Sequence, residues 1–160
     1  MSVRATLDQA LVSGWFGAGL PADARLRLTA IAEVRSFEPG TVVIREGELV
    51  DSLGIVVDGR MAIRLGVPGR ASVTILTIEP GDCVGWSALV PPHRATSTIV
   101  AVEPTTVVAF DGTSLRAVMD EDPATESAIL RSVLEAVARR LVATRTQLLD
   151  LFARAGDEPW

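Results

Sequence analysis

A chain of 160 residues, 48 % hydrophobic and 22 % charged, is long enough to bury one core without disulfides or metal and too apolar to be disordered. Its formal net charge of −5 argues against a nucleic-acid surface, which needs clustered positive charge to displace counterions. Cys83 is the only cysteine and His93 the only histidine, which excludes an internal disulfide and a thiolate zinc cluster and leaves any His-based catalysis to one residue.

Near the N-terminus, Asp8 and Gln9 interrupt the apolar stretch before it reaches the length of a hydrophobic signal region. No run approaches the ~18 apolar residues of a membrane span, so a cytoplasmic protein without a membrane partner is expected. Residues 6–13 suit a short helix. Pro21 opens a second, with its missing N–H placed where a first helical turn needs none, and Leu26, Ala30 and Ile31 follow at helical spacing.

From Phe37 to Phe110 the period shortens. Thr41–Ile44, Gly54–Val57, Arg60–Leu65, Ala71–Ile78, Ser97–Val102 and Thr105–Phe110 read as strands, separated by Pro39-Gly40, Asp58-Gly59, Gly66–Gly69, Pro80-Gly81 and Glu103-Pro104. Asp58-Gly59 predicts a two-residue hairpin. Gly40, Gly47, Gly59 and Gly81 read as tight-turn glycines of positive φ that do not touch ligand. Cys83 reads as a small hydrophobe inside a strand. No Gly-rich loop joins a strand to a helix, so a Rossmann or P-loop site is excluded.

After Asp111-Gly112 the pattern turns helical. Thr113 or Ser114 can cap a short helix through Met119, and Asp122-Pro123 starts a long one, Asp at the cap and Pro just inside. Leu130, Leu134, Val137, Leu141, Thr144, Leu148 and Leu151 alternate by four and three, a narrow heptad seam that predicts a homodimer through this helix rather than a helix packed only on its own domain.

The fold class expected is mainly β, an antiparallel β-roll or jelly roll flanked by helices. It forms a single domain over 1–160, with N-terminal helices over 1–36, the roll over 37–112 and C-terminal helices over 113–154.

Four segments resemble, in order, the cyclic-nucleotide-binding domains of the catabolite-activator type. They are Phe16–Pro21, Phe37–Gly40 with Val43–Gly47, Val57–Met61, and Leu76–Gly85 leading into residues 85–98. In that family a cyclic phosphate is held by backbone N–H groups at a short helix and by an Arg, and a Glu accepts the ribose 2′-hydroxyl. The resemblance implies a ligand-sensing domain for a cyclic nucleotide (cyclic AMP or cyclic GMP) or a related phosphorylated ligand, with no further cofactor. Its binding residues would be Gly85, Trp86, Ser87, Ala88, Arg94, Ala95, Thr96 and Thr144.

Two positions depart from the pattern. Trp86 stands where the family has its Glu, and an indole offers one N–H donor and no acceptor. It is either a platform for the base or a plug for the pocket. The family Arg falls on Ala95 and its following hydroxyl on Thr96, so Arg94 must reach the anion from one residue away or remain a solvated loop arginine. His93 reads as an exposed loop residue, and Thr144 as a purine contact or a seam residue. The chain stops at Trp160 where the family's transcription factors continue into a helix-turn-helix, so a stand-alone, non-enzymatic sensor without nucleic-acid binding is expected. The competing reading is a degenerate roll that serves dimerisation or the docking of an unknown protein partner.

Overall fold

The strand-forming runs assemble into two four-stranded antiparallel sheets. The computed structural model describes residues 2–13, 15–69 and 71–156; the side chains of Ser13, Trp15 and Leu151 and of residues 154–156 lie outside that description, so the last position of the seam is not placed. The strands are β1 (Ala32–Phe37), β2 (Val42–Ile44), β3 (Ser52–Asp58), β4 (Met61–Leu65), β5 (Val73–Ile78), β6 (Cys83–Val84), β7 (Thr98–Ala101) and β8 (Thr105–Asp111). One sheet runs β1-β8-β3-β6 and the other β2-β7-β4-β5, the jelly-roll arrangement expected.

The period of two explains why β3 is a nearly continuous buried run. Leu53, Ile55 and Val57 face a core shared with the helices, while Val56 faces the second sheet and packs with Met61, Ile63, Ile78, Ile99 and Val107. The first sheet is thus buried on both faces. Its outer face receives α1 (Val3–Asp8) with the π-helical turn Gln9–Ser13, α2 (Trp15–Ala18), α3 (Ala22–Ile31), α4 (Gly112–Glu121) and the start of α5 (Pro123–Gly156). Phe16 stacks on Phe110 at 6.0 Å between ring centroids, which ties α2 to β8. No helix among the described residues is long and apolar enough to cross a membrane.

The structure corrects three local expectations. Strand β1 begins at Ala32, directly after Ile31 closes α3, and not at Phe37; its alternation was concealed because no turn residue separates it from the helix. Asp58-Gly59 does not form a hairpin. β3 pairs with β8 and β6, β4 with β7 and β5, so the dipeptide carries the chain from one sheet to the other. What holds it is the 103–105 segment: the buried Thr105 hydroxyl accepts from the Arg60 N–H at 3.1 Å, and a Cβ on Gly59 would lie 2.2 Å from the Pro104 carbonyl oxygen. Finally, α4 is capped by Asp111, whose carboxylate accepts from the Ser114 N–H and hydroxyl, both at 2.9 Å, and not by Thr113 or Ser114. Asp122 caps α5 as expected, accepting from the Ala124 and Thr125 N–H groups and the Thr125 hydroxyl.

Two outcomes follow. Gly59→Ala places a Cβ against backbone at φ 85°, and urea denaturation should show a loss of more than about 2 kcal/mol. The Asp111 carboxyl is held below its ordinary value chiefly by the Ser114 N–H, and that of Asp122 chiefly by the Thr125 hydroxyl. The unfolded chain therefore binds more protons in the acid range. The stability these caps contribute is complete above the unfolded carboxylate pKa and is lost as pH falls through the lower folded values. Replacing both residues with Asn should flatten the acid limb of the stability–pH curve.

Candidate functional site

Strand β6 rests on β3 through the Gly54–Val84 and Ile55–Cys83 pairs and ends at Gly85. There the chain takes a left-handed turn, φ 72°, so close to β3 that a Cβ would lie 2.3 Å from the Ser52 carbonyl oxygen. Only glycine fits such a position. It launches a single 3₁₀ turn, Trp86–Ala88, closed by the N–H groups of Ala88, Leu89 and Val90, which leaves those of Trp86 and Ser87 without a partner in the turn.

Beside this turn lies a cavity of about 350 Å³, bounded by the second sheet, residues 95–97 and α5. Gly85, Trp86, Ser87, Ala95, Thr96 and Thr144 all line it, so six of the eight predicted residues share one space. Trp86 is half-buried, packs against the main core and forms part of the wall, and the cavity stays open beside it. Ala88 does not line the cavity. It is fully buried against Val50 and Ala95, and its carbonyl accepts from Arg116 Nη1 at 2.6 Å.

Arg94 is also outside. Residues 93–95 are strapped to 47–50 as a short ribbon: Val50 N–H donates to His93 O at 2.7 Å, Gly47 N–H to Ala95 O and Ala95 N–H to Glu48 O, both at 2.9 Å. Side chains alternate across such a ribbon. Ala95 turns inward, and Arg94 turns outward to donate to Gly47 O at 2.8 Å. An Arg at 95 would face the cavity; at 94 it faces the opposite way. His93 is likewise not simply exposed. It is half-buried at φ 61°, and its Nδ1 lies 2.9 Å from the Ser87 carbonyl, to which the Nδ1–H tautomer donates.

The cation that does line the cavity is Arg140, which was not among the expected site residues. Its Nη2 donates to the Cys83 carbonyl, and the neighbouring Arg139 lies 3.9 Å from Asp82, so the arginine pair straddles the start of β6. Arg140 stands four residues before Thr144, one helical turn away on the same face, a spacing that could have singled it out. Val137 and Leu141 complete the helical wall. Cys83 is fully buried in β6, and burial pushes its thiol above the ordinary cysteine value, the protonated state that suits a packing residue. Among the described residues no group of three His, Cys, Asp or Glu side chains is placed to hold a metal. The cavity is largely apolar, with one arginine (Arg140) and four hydroxyl-bearing residues (Ser87, Thr96, Ser97, Thr144) among those that line it, and it adjoins the tight turn at Gly85.

Residues 34–122 match the family model for the cyclic nucleotide-binding domain. The chain is 27 % identical over 145 residues to the CRP-like cAMP-activated global transcriptional regulator of Mycobacterium tuberculosis, covering 91 % of this chain and 63 % of that regulator's length. Its backbone is similar to a solved protein of Geobacter metallireducens (TM-score 0.74, 26 % identity, 88 % of this chain and 99 % of that one). It is similar in fold to a cyclic nucleotide-binding domain from Methylobacillus flagellatus (TM-score 0.79, 14 % identity, 91 % and 84 % of the two chains).

Proposed function

Because the chain belongs to the family of cyclic nucleotide-binding domains, we propose that it is a ligand-sensing regulatory domain whose cavity receives a cyclic nucleotide or a related phosphorylated ligand. One observation carries this reading. The cavity is open, falls within the size range of small-molecule sites, and is lined by an arginine and by a turn whose first two N–H groups make no bond within the turn. A phosphate there gains a charge-assisted fork from Arg140 and dipolar contacts from Trp86 and Ser87. Arg140 is tied to Cys83 O, so an anion that recruits it would loosen one of the bonds that hold α5 against β6. The role is regulatory rather than catalytic, and the net charge of −5 supports one without a nucleic-acid surface on these residues.

The second part of the proposal is a homodimer along α5. Ile129, Val133 and Ala136 are buried against the chain's own core, while Leu134 is 67 % exposed, Leu141 61 % and Leu148 49 %. One side of the helix is thus seated and the other carries an apolar stripe that a second copy of the helix would cover.

Calorimetry with cyclic AMP, cyclic GMP and the 2′-deoxy analogue should show affinities that barely respond to the 2′-hydroxyl. A buried hydrogen bond to a carboxylate is worth about 1.5–3 kcal/mol, one to two decades in affinity, and no carboxylate lines the cavity among the described residues. Arg140→Gln should remove most of the binding and Arg94→Ala should leave it within about twofold, because Arg94 faces away. For the dimer, Leu134→Glu buries an unpaired charge in the interface without touching the cavity. Light scattering should show the dissociation constant rise by about two decades.

A further inference from the structure

The cavity's lining is chemically lopsided. Six aliphatic side chains, Ile44, Ile63, Leu65, Ile75, Leu76 and Ile99, form its sheet wall, and Trp86 extends it with an aromatic face. Charge enters through Arg140 alone among the described lining residues, and no Asp or Glu side chain joins it. A ribose and a polar base bring several donors and acceptors that must leave water, and those that meet the aliphatic wall rather than Ser87, Thr96, Ser97 or Thr144 go unpaired at a penalty. A hydrocarbon surface entering the same space gains affinity instead, about fourfold for each methylene removed from water.

We infer that the site takes an amphipathic organic acid: one anionic group, phosphate or carboxylate, against Arg140, and a hydrocarbon or aromatic body against the sheet wall, where a nucleotide would place its sugar and base. The inference rests on the reading of the cavity as the ligand site and narrows it to a chemical class. Arg140 supplies the electrostatic partner that keeps the acidic group from being buried alone. Its position beside Cys83 O places that group near β6, which leaves the aliphatic wall to the body of the ligand. Ile75 is only half-buried in β5, so the wall can be altered there without emptying the core between the sheets.

The test is calorimetry on the full chain with butyl phosphate, hexyl phosphate, naphthyl phosphate, naphthoate and cyclic AMP, repeated on Arg140→Gln, Arg140→Lys and Ile75→Thr, with a thermal melt of each variant to confirm folding. Hexyl phosphate should bind about fifteenfold tighter than butyl phosphate, and naphthyl phosphate at least about tenfold tighter than cyclic AMP. Comparing naphthyl phosphate with naphthoate identifies the acidic group. Arg140→Gln should weaken every anion about tenfold or more, while Arg140→Lys retains binding within about threefold. Ile75→Thr should weaken the apolar acids about fivefold and cyclic AMP by less, because a nucleotide buries less hydrocarbon against that wall. If cyclic AMP binds tightest and affinity does not grow with chain length, the inference is overturned while the ligand site stands. If no compound binds in an Arg140-dependent way, the ligand-site reading fails and takes the inference with it.

Discussion

Everything that could bind at the cavity depends on how the first half of α5 is seated. Ile129, Val133 and Ala136 occupy one stripe of that helix and are buried with Leu53 and Ile55 of β3 and Val108 and Phe110 of β8. Large apolar side chains removed from water in this way contribute about 1.5–3 kcal/mol each, far more than the exposed ion pairs at the surface. Because a helix is rigid over a few turns, fixing residues 129–136 also fixes the direction in which residues 137–144 leave the core. Val137, Arg140, Leu141 and Thr144 follow at spacings of three, one and three, a single face, and that face closes the cavity. Arg140 comes to line the cavity through packing one to two turns upstream of it.

The opposite wall depends on a different constraint, the two-residue period of extended backbone. The ribbon between residues 47–50 and 93–95 is held by backbone bonds that do not depend on which side chains it carries. Its phase alone decides that Ala95 faces the cavity and Arg94 faces Gly47. A shift of one residue in sequence is a reversal of direction in space. Length and flexibility do not let Arg94 overcome that reversal, since its guanidinium already has an acceptor on the outer side. The cavity keeps a cation only because the helix supplies one.

This contrast marks how far the sequence was legible. The roll, its turn glycines, the cap at Asp122 and the long helix were readable because each is a local signal: a period, a dipeptide, a residue with a special backbone preference. Of the eight residues that the family resemblance proposed for a site, six line one cavity. The failures are long-range. Asp58-Gly59 looks the same in a hairpin and in a crossover between sheets, and the difference lies in whether β4 finds β3 or β7, which no four-residue window contains. Arg140 is the same kind of case. Its spacing from Thr144 was visible, but its aim toward Cys83 follows only from the docking of α5, and an Arg beside a second Arg on a helix otherwise reads as solvated surface. The aliphatic wall was hidden because Ile63, Leu65, Ile75 and Leu76 look like ordinary strand core until the structure shows that their sheet borders an open space.

The same helix that closes the cavity also carries the exposed apolar stripe, and the two overlap. Val137, Leu141 and Thr144 belong both to the four-three seam and to the cavity wall, while Leu134 and Leu148 belong to the seam alone. Leu141 shows the consequence most directly: it touches the cavity, yet 61 % of it remains exposed. A ligand that adjusts the pitch or position of α5 around Arg140 must therefore also move side chains that a second helix would pack against. The converse holds by linkage, because a partner that fixes the seam fixes part of the cavity wall and so biases ligand affinity by the same factor. No separate relay between site and interface is needed. In the proposed function, sensing and assembly would be coupled because one helical face, about two turns long, would bound both the cavity and the helix–helix contact.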